Sequence, residues 1–371
     1  MKISRVNFWH LRLPLRVRYG DANGLKDHRT TQIIRIETDE GAVGWGETFG
    51  YRVYAGHWAA VAELLTGADP TRINALVDQV ARIDLALAGG IDIALWDLKG
   101  KLAQMPLFQL FGGAYRSTQP AYASLQNVYD GPDITGDAVA EALRAMALGF
   151  TSLKMKVGWH SVEADIAWTN AVIAALPAGV PLAVDANRAM DLPAARTYVR
   201  GLKHPERISW FEEPLANTSI PPHVELRQSI AIPVSGAETM PYAVIEDVIA
   251  TRAMDIINPD LCGHGGFERL RRLGTLAEAQ GIRLVPHVFD GQLARLAALH
   301  FSLARPDWPE RQGVYDAAPV EYDISPNALR DELLSEPLKP DAKGRLSAPT
   351  GPGLGVEINE DLIRRFAIAN H

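Results

Sequence analysis

The sequence is poorest in cysteine, with Cys262 the only one among 371 residues. That excludes an internal disulfide and any thiolate metal centre, and it agrees with a reducing cytoplasm. No apolar run is long enough to cross a bilayer. The stretch Met1–His10 lacks the apolar core and small-residue cleavage site of a secretory signal. No basic cluster stands out and the formal net charge is −7, which argues against nucleic acid as a partner. Also missing are a P-loop, a His-Glu-x-x-His zinc motif and a Gly-x-Ser-x-Gly nucleophile turn. Gly351, Gly353 and Gly355 lie in a Pro-rich loop with no preceding βαβ pattern, so they are not a dinucleotide fingerprint. Gly263-His-Gly-Gly266 follows a strand and opens a helix, a place suited to an anion.

What is present divides the chain by texture. Residues 1 to about 50 read as strands, with Gln32–Thr38 and Ala42–Glu47 flanking the turn residues Asp39-Glu-Gly41. Residues 55 to 112 read as helical. Ile91, Leu95, Leu98 and Leu102 recur on one apolar face, and Gly112-Gly113 stop the run. From about 119 to 325 short apolar strands alternate with helices. The strands are expected at 120–125, 152–157, 181–186, 208–212, 232–236, 255–259, 282–287 and 318–322. Eight such units match the size of a (β/α)₈ barrel, with a doubly wound parallel sheet as the competing fold. The last segment, 326–371, shows two helical pieces around Pro349–Gly355 and is expected to pack back on domain 1–118.

Chemistry-bearing residues recur at strand ends. Asp185, Glu212 and Glu238 close three successive strands at nearly equal intervals. Three carboxylates brought to one end of a barrel repel one another unless a cation sits between them, and all-oxygen ligands favour Mg²⁺ over Zn²⁺. Lys154 and Lys156 share one face of their strand, while Leu153, Met155 and Val157 take the other. Mutual repulsion and burial are expected to lower the pKa of one lysine and make it a base. Asp260 and His287 end neighbouring strands on the far side, where a carboxylate would fix the imidazole tautomer. Glu321 closes the ring on the eighth strand. Acid/base groups on opposite sides of a hard-metal site suit removal of the proton next to a carboxylate.

As a set, these residues resemble the enolase superfamily in its mandelate racemase/muconate lactonizing enzyme branch. The likeness rests on Gly44-Trp-Gly-Glu47, Gly90–Lys101, Lys154-Met-Lys156, Asp185-Ala-Asn187, Glu212-Glu-Pro214, Glu238, Asp260, His287, Glu321 and Pro352–Gly355, and it spans nearly the whole chain. The resemblance implies a modified TIM barrel beneath an α+β capping domain formed by the N-terminus and the C-terminal segment. It also implies Mg²⁺ held by Asp185, Glu212 and Glu238, with Lys156 as one base and Lys154 near the substrate carboxylate. The His287–Asp260 dyad would act on the other face, with Glu321 bonding the enediolate; pairing a Lys or His base with Mg²⁺ is the known pattern of such enzymes. One departure is Gly236-Ala-Glu238, read as one residue inserted after the glycine of the usual Gly-Glu. Asp260 stands where muconate lactonizing enzymes, succinylbenzoate synthases and dipeptide epimerases carry a lysine, which argues against those activities.

The expected activity is Mg²⁺-dependent dehydration of an acid sugar. Alternatives are a racemase or epimerase, an aldarolactone cycloisomerase using the same residues, and, remotely, a non-catalytic binding protein. The expected partner is a small hydroxy-carboxylate, with no membrane or nucleic acid involved, and relatives of this kind imply a homo-oligomer. Substrate choice is expected in Asn187 and in two cap loops. One is 16–30, with Arg16, Arg18, Tyr19, Lys26 and His28; the other is 49–57, with Tyr51, Tyr54 and His57.

Overall fold

Three long strands form the N-terminal layer: β1 (Ile3–Asp21), β2 (Gly24–Thr38) and β3 (Val43–Phe49), antiparallel in that order. The computed structural model describes residues 1–51, 53–125, 133–289, 291–309 and 315–371, without the side chains of Tyr19, Pro309, Tyr315 and Asp316. Alternation puts Val6, Phe8, Ile34 and Ile36 on the face that packs against helices Ala55–Leu65, Ile73–Val80 and Leu85–Ala103. The third helix lies so close that a Cβ on Gly44 would meet the Ala94 carbonyl oxygen at 2.1 Å, and one on Gly46 the Gly90 oxygen at 2.0 Å. This contact explains the Gly-Trp-Gly spacing. Ile91, Leu95 and Leu98 are buried as their period predicts, but Leu102 is 46% exposed. By then the helix has passed the sheet, since Lys101 already meets Val43, the first residue of β3. Segment 16–30, expected as a loop, is instead the outer end of β1 and β2, with Asp21 paired to Gly24.

The expected alternation then builds eight parallel strands. They are β4 (Gln119–Ser124), β5 (Leu153–Lys156), β6 (Leu182–Asp185), β7 (Ile208–Glu212), β8 (Val234–Gly236), β9 (Ile256–Ile257) and β10 (Arg283–Leu284). After the short hairpin of β11 (Trp308–Pro309) and β12 (Tyr315–Asp316) comes β13 (Val320–Asp323), which pairs back onto β4. The ladder follows chain order from β4 to β10, and β13 curls it into a barrel rather than a doubly wound sheet. Among the described residues no strand ladder joins β10 to β13, although Val288 N donates to Glu321 Oε2 at 3.2 Å. β9 and β10 are shorter than expected because Pro259 and Pro286 remove ladder donors. Inside, Tyr122, Ala183, Trp210, Ile256 and Val285 pack as an apolar floor. Two residues further along their strands stand Ser124, Asp185, Glu212, Asn258 and His287.

The C-terminal segment bridges both layers: β14 (Arg345–Leu346) pairs with β4 and β15 (Ala367–Asn370) with β1. Buried cap acids fasten the layers more firmly. Glu47 accepts from Thr31 Oγ1 at 2.8 Å and from the backbone N–H groups of Gly291, Leu293 and Ala294 at 2.7, 3.0 and 3.1 Å, where helix Gln292–Leu303 begins. Asp92 accepts from Phe267 N at 2.6 Å, at the start of helix Phe267–Ala279. Asp97 accepts from Trp45 N at 2.9 Å and Leu354 N at 2.8 Å. The Gly263–Gly266 turn, expected to suit an external anion, therefore serves internal carboxylates: Asp92 at its helix and Asp260 through Gly263 N at 2.8 Å. Among the described residues no helix is long and apolar enough to cross a membrane.

Burial lifts the Asp92 carboxyl to about 7, against the pull of the Phe267 N–H. A carboxyl raised on folding stabilises fully below its ordinary pKa, and that contribution fades as pH climbs through about 7. Asp92→Asn, neutral at every pH, is expected to flatten the fall in melting temperature between about pH 5 and pH 8. Parallel wild-type and variant curves of melting temperature against pH would contradict this.

Candidate active site

The two strand lysines and the three strand-end acids meet above the floor. One oxygen from each of Asp185, Glu212 and Glu238 lies within 4.8 Å of the others. Lys156, Asp185 and Glu212 are level across β5, β6 and β7, but the residue level with Glu212 on β8 is Ser235. Glu238 thus reaches back from the turn and is not in the equal register that its spacing suggests. Ala237 before it has φ 81°, the left-handed region that favours glycine. The Gly-Ala-Glu departure thus sets an alanine on a glycine-like backbone. Such a conformation costs an alanine about 1–2 kcal/mol.

Asp185 and Glu212 are each held through both oxygens. Asp185 Oδ1 accepts from Asn187 N at 2.9 Å, and Glu212 Oε2 from Trp210 Nε1 at 2.8 Å. Lys154 Nζ donates to Glu212 Oε1 at 2.7 Å and lies 3.0 Å from Glu321 Oε1 and 3.8 Å from Asp185 Oδ2. Lys156 Nζ donates to Asp185 Oδ2 at 2.5 Å. Opposite, His287 Nδ1 is 2.8 Å from Asp260 Oδ2, while Nε2 lies 3.6 Å from Glu238 Oε2 and 3.9 Å from Glu321 Oε2. The lysines, Asp185, Glu212, Asp260, His287 and Glu321 are all buried.

These fields reverse one expectation. Burial opposes the charge on both lysines, but Glu212, Glu321 and Asp185 hold Lys154 well above its ordinary pKa, and Asp185, Asp21 and Glu238 raise Lys156. Neither lysine pKa is lowered, because carboxylates outnumber the lysine pair that was expected to repel itself. Burial likewise pulls His287 down, yet Glu238, Glu321 and Asp260 lift it to about 10, so the imidazole carries its proton. Glu321 is held low despite its burial by Lys154, His287 and Lys156.

Several residues near the site escape sequence reasoning. Glu213 is a buried fourth acid, pushed up to about 8 by burial and by Glu238 and Asp185 against Arg188. Its place in Glu-Glu-Pro hid a second carboxylate behind the first. Asp21, at the β1–β2 tip, pairs with Lys26, and its field reaches Lys156. Phe289 lies below Arg29 at 3.4 Å, Lys26 at 5.7 Å and Lys156 at 6.0 Å from its ring centre, so the hairpin tip reaches the barrel mouth. No local pattern announces contacts this distant in sequence. Of the residues expected at the substrate, Asn187 sits on Asp185, with Nδ2 at 3.4 Å from Oδ2. His28 turns to Asp27 and to Arg12 at 3.2 Å. Tyr19 pairs with Lys26 through its backbone, and its side chain lies outside the described residues. Tyr51 and Tyr54 are exposed, their rings tilted against those of Phe49 and His57.

The donor set suits a hard dication: three carboxylates, nitrogen and sulfur absent, and the buried Glu238 Oε2 without a hydrogen-bond partner among the described residues. A barrel with this acid triad and a cap plugged into its helices defines an enolase-type protein. The chain belongs to the enolase superfamily and to its mandelate racemase/muconate lactonizing enzyme family. Residues 6–112 match the mandelate racemase / muconate lactonizing enzyme N-terminal domain, and 137–362 match the enolase C-terminal domain-like family. The chain is 36% identical to the D-galactarolactone cycloisomerase of Agrobacterium fabrum, over 99% of both chains. It is 29% identical to the arabinonate dehydratase of Saccharolobus solfataricus, over 92% of both. A racemase from Streptomyces coelicolor A3(2), solved with bound magnesium, superposes with a TM-score of 0.87 at 26% identity, covering 99% of this chain and 100% of that one.

Mg²⁺ is expected to raise the melting temperature of the wild type, because a dication held by the folded triad would find no such site on the unfolded chain. In Glu238→Gln most of that rise should vanish. An equal rise in both proteins would remove Glu238 from the ligand set.

Proposed function

We propose that the protein removes the α-proton of an acid sugar and eliminates the oxygen on the neighbouring carbon, with dehydration the leading form of the reaction. One observation carries this reading: Lys156 on β5 and His287 beyond β10 flank the same carboxylate triad from opposite sides of the barrel. Asp185, Glu212 and Glu238 would hold Mg²⁺, which supplies Lewis acidity that draws charge from a carboxylate oxygen. Lys154 and Glu321 border the place where the substrate carboxylate would lie, Lys154 offering positive charge to the oxygens of an enediolate. Lys156 Nζ takes the α-proton as the C–H bond breaks, from a neutral form that the Asp185 field opposes and that a dication on that carboxylate would favour. His287 Nε2 gives its proton to the β-oxygen as the C–O bond breaks, releasing water. Asp260, on Nδ1, keeps the ring oriented through both stages. The enol left behind becomes a 2-keto-3-deoxy acid.

A second reading is opening of a sugar lactone, favoured by the 36% identity to a D-galactarolactone cycloisomerase across 99% of the chain. In a lactone closed through the β-oxygen, the same elimination breaks the ring bond, and the leaving carboxylate stays attached. No water is lost and the mass is unchanged.

Proton NMR in D₂O with Mg²⁺, across aldonates, aldarates and their lactones, separates the readings. Loss of the α-proton signal with a keto-deoxy product from an open acid supports dehydration. The same product from a lactone alone supports ring opening, and no exchange with any of them rejects both. Lys156→Ala and His287→Ala should each lower turnover by at least about 10²-fold. Wild-type rates in both would sink the assigned roles.

A further inference from the structure

Among the described residues, four of the six non-glycine residues with positive φ lie on the turns after β6, β7 and β8: Asn187 at 43°, Arg188 at 68°, Glu213 at 39° and Ala237 at 81°. These are the turns that bear Asp185, Glu212 and Glu238. Side chains rarely adopt such conformations, and they persist only where their surroundings over-determine them. One side chain touches all three turns. Arg188 belongs to the first, and its backbone N–H donates to Glu213 O at 2.6 Å. Its Nε lies 3.1 Å from Glu213 Oε2 on the second turn, and its Nη1 donates to Thr239 Oγ1 at 2.8 Å on the third. Asn217 adds a weaker tie, with Nδ2 at 3.4 Å from both Glu213 Oε1 and Thr239 Oγ1.

We infer that Arg188 is a positioning residue for the metal site, clamping three turns so that their repelling carboxylates stand together before a cation arrives. This rests on reading Asp185, Glu212 and Glu238 as ligands of a dication. The guanidinium works through Glu213 and Thr239, each one residue beyond a ligand carboxylate. Its planar fork can hold two partners at once, which an ammonium cannot do at fixed geometry. Charge alone predicts the opposite behaviour. A cation beside a dication site repels the metal, so deleting it would tighten binding. The sign of the effect therefore separates a clamp from a bystander.

The test is calorimetric titration of Mg²⁺ into the full-length wild type, Arg188→Ala and Thr239→Val. Thr239→Val removes the hydroxyl tie without changing charge. The Mg²⁺ dissociation constant is expected to rise about tenfold or more in Arg188→Ala, within the range found for groups that hold metal ligands in place. Thr239→Val should show a smaller rise, and the double variant less than the product of the two, because both cut one clamp. Metal-free melting temperatures should stay near wild type. Unchanged or tighter binding in Arg188→Ala overturns the inference, as does a lower metal-free melting temperature with affinity intact. If Arg188→Ala does not fold, Thr239→Val decides, and unchanged affinity there overturns it. Absence of Mg²⁺ binding by the wild type would reject the metal reading itself and this inference with it, and is seen before any variant is measured.

Discussion

Like charges forced together in a dry place are the constraint that organises the molecule. Asp185, Glu212, Glu213, Glu238, Asp260 and Glu321 converge on the mouth of one barrel, most of them fully buried. Carboxylates cannot share such a volume unless cations and N–H groups meet them. Lys154, Lys156 and protonated His287 supply the positive side, bonded so closely that each lysine is tied to the acids beside it. The floor of Tyr122, Ala183, Trp210, Ile256 and Val285 excludes water from below and keeps those fields strong. Beneath the hairpin tip, Arg29 is fixed over Phe289 by Asp323 at 2.7 Å, so positive charge also reaches the mouth from above.

The same device recurs between the layers. Glu47, Asp92 and Asp97 carry acceptor oxygens of the cap into the barrel's helix ends and loops, where backbone N–H groups await acceptors. A cap fastened by greasy contact alone could slide. Acceptors set on specific backbone donors fix its registry, and the hairpin tip with Asp21 and Lys26 is placed by that registry.

Much of this was legible in the chain, for reasons tied to period and chemistry. Strand–helix alternation was visible because parallel strands buried on both sides read as short apolar runs, and all eight lie where those runs are. Strand-end acids were visible because Asp185 and Glu212 break an apolar run. The failures share a cause. Register across strands is a tertiary property, so nothing local said that Ser235 rather than Glu238 is level with Glu212. The lysine pKa depends on neighbours from four other strands and the cap, and pairwise reasoning within β5 counted only the lysines. Segment 16–30 carries charged residues at loop-like density, yet long β1–β2 pairing overrides that composition. Asp21 and Phe289 belong to no motif, and only the closed chain brings them near Lys156.

The proline interruptions on the far side of the barrel divide the mouth into two mechanical halves. Lys154 and Lys156 ride a ladder that runs unbroken from β4 to β8, where any shift of one strand must drag its neighbours. Past Pro259 and Pro286 that ladder gives out, and His287 is kept in place by an isolated bridge to Asp260 and by the side chains around it. One half is held by a continuous backbone ladder, the other by a few backbone hydrogen bonds and by its side chains. Changes in the compliant half can re-aim His287 without disturbing Lys156 across from it. On the proposed mechanism, such a scaffold could exchange one leaving group for another while keeping its proton-abstracting step intact.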